Sequence, residues 1–324
     1  LRTALGLSAL TGKGFMMRGV RANRSRPGLA AQHLAAVQCV AKICCAEVEG
    51  AHVGSQEVSF RPGPASGGTY VVHVGTAGSV MLVLQAGMLA SVRADGPVTL
   101  EVHGGTDVPL APPASYYHLV LLPLMHGLGL FVEMDLVQRG FYPEGGGEVI
   151  ARISPAKEIR PMDASVRGEL LGVEGVAFSR NLPEHVTDRM AMECRRRMVD
   201  WRTVRMGSDR GPGPSTGAGL VLAARFSKGL VGASCLGERG LSSETVARLA
   251  VEALEREMAA TVDVHAADQL LPYLALASGP SALTVSEVSP HMRTQMATVA
   301  KFLDVRFEVS GADPATVIVR PSRT

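Results

Sequence analysis

Along the chain, blocks in which apolar residues recur at helical intervals are exchanged for blocks in which they alternate, and these two periods set out the elements. The opening residues Leu1 to Leu10 carry helical spacing and stop at Thr11-Gly12. A strand is predicted around 14–20. Leu34, Val37 and Ile43 then predict a helix over 30–45, introduced by Pro27-Gly28. Strands follow near 46–49, 56–61 and 69–74. A helix over 80–90 leads to a strand at 97–102 and the turn Gly104-Gly105-Thr106-Asp107. Behind Pro112-Pro113 a helix is predicted over 114–127. Strands near 130–139 and 147–153 are joined by a stretch running from Gly140-Phe141-Tyr142-Pro143 through Gly145-Gly146-Gly147. Beyond 259, helices over 267–278 and 291–302 alternate with strands at 282–286, 305–309 and 316–320.

The recurrence of this helix–strand pattern predicts stacked α/β repeats. The stretch 166–258 breaks the rhythm. It reads as strand 169–178, helix 183–198, strand 201–206, a Gly/Pro loop over 208–219, strands 218–226 and 229–236, and helix 242–258, with N-cap chemistry at Ser242-Ser243-Glu244. A βαββα block of that size predicts a small inserted domain. The expected organisation is a repeat domain built from 1–165 and 259–324, and an inserted domain over 166–258.

Composition narrows the class. At 324 residues, 46% hydrophobic and 19% charged, the chain can bury a core and is not a disordered polymer. Aromatics are only 4%, so the core rests on Ala, Val, Leu and Met. A net charge of +2 does not advertise nucleic-acid binding, but the basic residues cluster in 18–26 and 195–210, where local patches can hold phosphate. The five cysteines form no metal spacing, and an odd count argues against a disulfide framework. A reducing intracellular compartment, nuclear or cytoplasmic, is expected. Cys39, Cys44 and Cys45 read as small core residues. No apolar run is long enough for a membrane helix and no signal peptide is evident, so no membrane partner is expected.

Two segments carry candidate chemistry. Arg21, Arg24 and Arg26 alternate with small residues before the Pro27-Gly28 turn, with Gln32 and His33 in the helix beyond. Guanidinium groups grip phosphate bidentately, and a helix N-terminus favours anions; the plain reading is a solvated basic loop. His291 follows Pro290 at a predicted helix start, where the dipole keeps imidazole neutral and nucleophilic. Most histidines in such places are ordinary capping or surface residues. Asp268 can orient an imidazole, or serve as an acid at a helix N-terminus. The turns at 75–79, 104–107 and 144–147 can present backbone N–H groups to a nucleotide, or simply join elements; none has a Walker or dinucleotide fingerprint.

Taken in order, these pieces resemble the RNA 3'-terminal phosphate cyclases over essentially the whole chain. The resemblance is carried by Arg21-Ala22-Asn23-Arg24 with Pro27-Gly28-Leu29 and Gln32-His33-Leu34, then Gly54-Ser55-Gln56, and Thr76-Ala77-Gly78-Ser79 with Gln85. It continues through Gly104-Gly105-Thr106-Asp107, Ala111-Pro112-Pro113, Gly140-Phe141-Tyr142-Pro143, Asp268-Gln269-Leu270 and the segment at His291. It implies three α/β repeats, similar to the C-terminal domain of a bacterial translation initiation factor, plus one inserted small α/β domain. It also implies an ATP-dependent reaction with a divalent metal, Mg or Mn, on RNA 3'-phosphate ends. By resemblance, His291 is the nucleophile, forming an adenylyl-histidine from which AMP passes to the RNA 3'-phosphate before the 2'-hydroxyl closes a 2',3'-cyclic phosphate. Arg2, Arg21, Arg24 and Gln32 match phosphate-site positions. Pro112 and Tyr116 match the adenine pocket, and Gln85, Asp268 and Gln269 match further active-site positions.

Two departures stand out. The family opens with a strand and a Glu-Gly-Gly-Gly-Gln segment, bearing an acid associated with the metal, ahead of the position of Leu1; the expectation is that the sequence is incomplete. Gln295 stands where many relatives have Asn. Two other readings stay open: a non-catalytic cyclase-like ribosome-biogenesis factor, against which His291, Arg21 and Arg24 speak, and an enolpyruvyl-transferase-like enzyme built on related repeats, which would bind no ATP.

Overall fold

The computed structural model describes residues 1–322, so the last two residues of the expected 259–324 segment lie outside the described residues. Helix α1 (Arg2–Thr11) leads into strand β1 (Phe15–Arg18), helix α2 (Ala31–Ile43) and strands β2 (Glu47–Glu49) and β3 (Glu57–Arg61). These strands form a sheet in the order β1-β3-β2. Strand β4 (Gly68–His73), helix α3 (Val80–Ser91) and β5 (Val98–Gly104) come next. Helix α4 (Ala114–Tyr116) runs through a π-helical turn (Tyr117–Leu121) into α5 (Leu122–Gly127), before β6 (Val132–Gln138) and β7 (Gly147–Ile153). Their sheet has the order β4-β5-β7-β6, with β4 and β5 parallel and the other pairs antiparallel.

The same order returns late in the chain. Strand β8 (Asp163–Ala164), helix α8 (Val264–Leu274), β13 (Ser281–Val285), α9 (Pro290–Phe302), β14 (Val305–Ser310) and β15 (Ala315–Pro321) give the order β14-β15-β13-β8, with β13 and β8 parallel and the other pairs antiparallel. Between β8 and α8 lie β9 (Leu170–Arg180), α6 (His185–Arg197), β10 (Val204–Gly211), β11 (Gly217–Phe226), β12 (Gly229–Leu236) and α7 (Ser243–Glu257). They build a separate sheet, β10-β9-β11-β12. That block has its own buried cluster, with Val173, Met190, Cys194, Leu220, Val251 and Leu254, apart from the large core that fills the other units. The architecture is mixed α/β with several sheets.

Local sequence explains the layering. In β5, Val98, Leu100 and Val102 are buried and alternate with the half-buried Thr99, Glu101 and His103, as a period of two requires. Helix α3 covers the apolar face, and Gly87 lets it come close: a Cβ there would stand 2.5 Å from Leu100 Cδ1. The side chains of Ser79 and Ser242 cap α3 and α7 by accepting from Leu82 and Thr245 N–H groups.

Some expectations need correction. The Gly/Pro loop expected over 208–219 is shorter. Ser208 to Gly211 pair with Ala177 to Arg180 of β9, and Gly217 to Gly219 pair with the same strand from the other side. Helix α8 starts at Val264 rather than 267, because the Asp263 carboxylate caps it by accepting from His265 and Ala266 N–H groups; Asp268 is therefore inside the helix, not an acid at its start. Cys39 and Cys44 are buried, but Cys45 lies beyond α2 and is exposed. The two-residue strand β8 had no pattern to reveal it.

Arg139, just after β6, is buried to 2% exposure and joins three segments. Its Nη1 donates to both Asp107 oxygens at 2.9 and 3.0 Å, Nη2 to Ser115 Oγ at 2.6 Å and Nε to Asp209 Oδ2 at 2.7 Å. The guanidinium lies 4.0 Å over the Phe178 ring. Burial works to raise the Asp209 pKa, but Arg139 and Arg180 outweigh it and hold the carboxyl below its usual range. Breaking one partner of a buried pair leaves an uncompensated charge. Arg139→Met is expected to destabilise the fold by about 3–5 kcal/mol in urea unfolding. Arg152→Ala, which removes the exposed pair with Asp135, should leave the midpoint where it was; equal midpoints for all three proteins would refute this account.

Candidate active site

Helices from distant parts of the chain converge on Asp268 and His291. Helix α9 begins at Pro290, whose missing N–H costs nothing in a first turn, and Ser289 caps it by accepting from Met292 N–H at 3.1 Å. His291 is therefore the second helical residue, and it is exposed. One of the Asp268 carboxyl oxygens is buried with no hydrogen-bond partner. Burial raises the Asp268 pKa, while electrostatic attraction from His291, Arg2 and His265 opposes that rise. Gln295, one turn on from His291, donates to the Asp268 backbone carbonyl at 3.4 Å and accepts from Thr3 Oγ1, so α9, α8 and α1 are tied side by side.

Arg2 is the pivot of the cluster. Its Nε donates to Gln85 Oε1 at 2.8 Å, joining α1 to α3. Burial lowers its pKa, and Tyr117 and Asp268 act to restore it. On its other side stands His33, whose Nδ1 is buried and unpartnered. Burial, then Arg2 and Arg21, push the His33 pKa down to about 4, so the ring is neutral. Arg21 sits at φ 54, and its Nη1 donates to Gly28 O at 3.0 Å. Gly28 itself needs φ +85 and lies so near the Gly54 backbone that a Cβ would fall 2.1 Å from its carbonyl oxygen. Gln32 accepts from Ser79 N–H at 2.9 Å and fixes α2 to the start of α3.

The structure thus gathers Arg2, Arg21, Gln85, Asp268 and His291, with His33 among them. Arg24 is exposed in the turn beyond Arg21, and Pro112 is half-buried ahead of α4. Gln32 and Gln269 spend their side-chain oxygens inside the protein, Gln269 accepting from Tyr117 OH at 2.9 Å. Tyr116 is not brought to the site: it is 1% exposed and its hydroxyl donates to Asp263 at 2.5 Å, so neither face of its ring is open to a base. Thr3, Tyr117 and His265 escaped the sequence reading. Only His265 had a signal, lying three residues before Asp268 on one helical face. The turn at Gly104-Gly105-Thr106-Asp107 is taken up by the Arg139 network.

The donor set fits an anion. Two guanidinium groups and an unpartnered imidazole nitrogen line the cluster, and guanidinium matches phosphate geometry. For a divalent ion, the acid within electrostatic reach of His291 is Asp268. One carboxylate falls short of the oxygen ligands that a protein-held Mg or Mn takes, and fits only an ion arriving with nucleotide phosphates.

The depressed His33 pKa has a sign. As pH falls below the usual 6.5, the unfolded chain takes up a proton that the folded chain refuses until about 4. Stability held above pH 6.5 is therefore lost across this window. His33→Gln is expected to flatten the fall of unfolding free energy between pH 6.5 and 4. An unchanged slope would show that His33 titrates normally.

Comparison with known proteins matches the chain to one family. The family model described as RNA 3'-terminal phosphate cyclase matches residues 1–309. A protein of that name from Methanopyrus kandleri is 45% identical, over 99% of this chain and 95% of its own. Others from Archaeoglobus fulgidus (42%, covering 95% of this chain and 93% of that one) and Nitrosospira multiformis (41%, covering 96% and 89%) bear the same name. A solved enolpyruvyl transferase, NikO from Streptomyces tendae, aligns at 11% identity over 99% of this chain and 80% of that one, with a TM-score of 0.25, too low to carry an argument. The chain belongs to the RNA 3'-terminal phosphate cyclase family.

Proposed function

We propose that this chain converts an RNA 3'-terminal phosphate into a 2',3'-cyclic phosphate at the expense of ATP, as a ligase working through an adenylyl-histidine at His291. The observation that carries this reading is an exposed imidazole, His291, within electrostatic reach of a buried carboxyl with an unpartnered oxygen, Asp268, which also feels Arg2.

The chemistry needs activation because a terminal phosphate monoester has no good leaving group. A ring nitrogen of His291 attacks the α-phosphorus of ATP and pyrophosphate departs. Asp268 holds and steadies the imidazole as positive charge grows on it. An oxygen of the RNA 3'-phosphate then attacks the adenylyl phosphorus, freeing His291 and leaving AMP joined to the RNA end. The 2'-hydroxyl, held next to the phosphorus of the RNA's own 3'-phosphate at high effective concentration, attacks that phosphorus, closes the ring and expels AMP. Arg2, Arg21 and Arg24 offset the phosphate charges, with Gln32 and Gln85 ordering the helices that carry them. Pro112 is proposed to border the nucleotide, with Gln269 fixing α8 from within. A divalent metal would shield the nucleotide phosphates.

The finer architecture belongs to the same proposal. The sheets β4-β5-β7-β6 and β8-β13-β15-β14 share one order, and β1-β3-β2 repeats its last three places. This supports three stacked copies of one α/β repeat, of the initiation-factor C-terminal-domain kind, over 1–165 and 259–324, with 166–258 as a small inserted α/β domain.

His291→Ala is expected to abolish labelling of the protein by α-labelled ATP while its circular dichroism stays unchanged. Retained acid-labile label would remove His291 from its role. Arg24→Ala is expected to slow adenylyl transfer by roughly 1.5–3 kcal/mol, the value of a hydrogen bond to a charged group. An unaltered rate would return Arg24 to a solvated loop.

A further inference from the structure

The outer face of the sheet β4-β5-β7-β6 carries a cluster that the cyclase reading does not use. Glu101 and His103 lie two residues apart on β5, so both project from the same side. It is the side opposite Leu100 and Val102, which are buried. His103 is in register with Glu148 on β7 and with His73 on β4. His103 Nε2 lies 2.8 Å from Glu101 Oε1, and its Nδ1 lies 3.9 Å from Glu148 Oε2. One donor atom each from Glu101, His103 and Glu148 falls within 4.8 Å of the other two. The His73 ring stacks on His103, with centroids 4.5 Å apart and planes at 19°.

We propose that Glu101, His103 and Glu148 form a site for a first-row divalent transition metal, best matched by Zn²⁺.

Two carboxylates drawn to one imidazole repel each other, and a dication placed between them turns that repulsion into binding. Imidazole selects Zn²⁺-like ions over Mg²⁺ and Ca²⁺, which prefer oxygen alone. Three protein ligands match an open zinc site, with donors about 2.0–2.2 Å from the ion and a further position for water. Glu101 addresses Nε2 and Glu148 addresses Nδ1, so one carboxylate must swing to the ring nitrogen that takes the ion. All three sit on strands within a hydrogen-bonded sheet, and the flat contact with His73 fixes the plane of the His103 ring, so little order is lost on binding. Side-chain exposures near 30% leave the ion a path from solvent. The alternative is a plain ion pair of protonated His103 with Glu101, in which a proton takes the place of the metal.

The test uses the full chain, stripped with EDTA, and reads metal binding rather than cyclisation. Titration with Co²⁺ should give visible d–d absorption that saturates near one ion per chain and is displaced by Zn²⁺. His103→Gln and Glu148→Gln should each weaken binding at least tenfold, while circular dichroism confirms that they fold. His291→Ala should leave it unchanged. Binding that survives both substitutions, no binding at micromolar metal, or loss of binding in His291→Ala would each overturn the proposal. The outcome is independent of whether the chain cyclises RNA.

Discussion

The Arg139 guanidinium is out of water, and its donors are answered by Asp107 from the loop after β5, Ser115 from α4 and Asp209 from β10. A charge so placed is tolerable only while its acids stay in position. The requirement binds the sheet β4-β5-β7-β6 to the block between β8 and α8, because Asp209 and the Phe178 ring under the guanidinium both belong to that block. Asp263 makes a second joint of the same kind. It accepts from Tyr116 OH, from Gly232 N–H on β12 and from the first turn of α8. The helix that presents Asp268 is thus anchored to the sheet β10-β9-β11-β12 as well as to its own.

The cluster around His291 depends on that anchoring, since no single unit contains it. Arg2 comes from α1, Gln85 from α3, Asp268 from α8 and His291 from α9. Short polar ties, Arg2 to Gln85, Thr3 to Gln295 and Gln295 to the Asp268 carbonyl, hold these helices in register. Hydrophobic packing gives such helices proximity; the directional bonds decide how each is turned.

Most elements were legible in the sequence because their apolar periods are local. Helices α3 and α9 and strands β7 and β12 fall within about a residue of expectation. What was not legible depended on distant partners. The extension of β10 across Ser208 to Gly211 follows from pairing with β9, and the start of α8 from a cap at Asp263. His291 and Asp268 could be singled out from their segments and the family resemblance, but the electrostatic coupling between them could not. Tyr116 shows the limit from the other side. The family resemblance matched it to the adenine pocket, yet a carboxylate 147 positions away draws the hydroxyl inward.

The π-helical turn at Tyr117–Leu121 has its own consequence. Adjacent residues on a helix point about 100° apart, yet Tyr116 and Tyr117 both reach α8, one at its cap and the other at Gln269. Together they grip that helix at two points along its axis, as two pins stop a rod from rolling. A length change of one residue in this turn would rotate everything upstream of it relative to everything downstream. The length of the segment, together with the Tyr117 hydroxyl, is therefore what must be held fixed when the protein is redesigned.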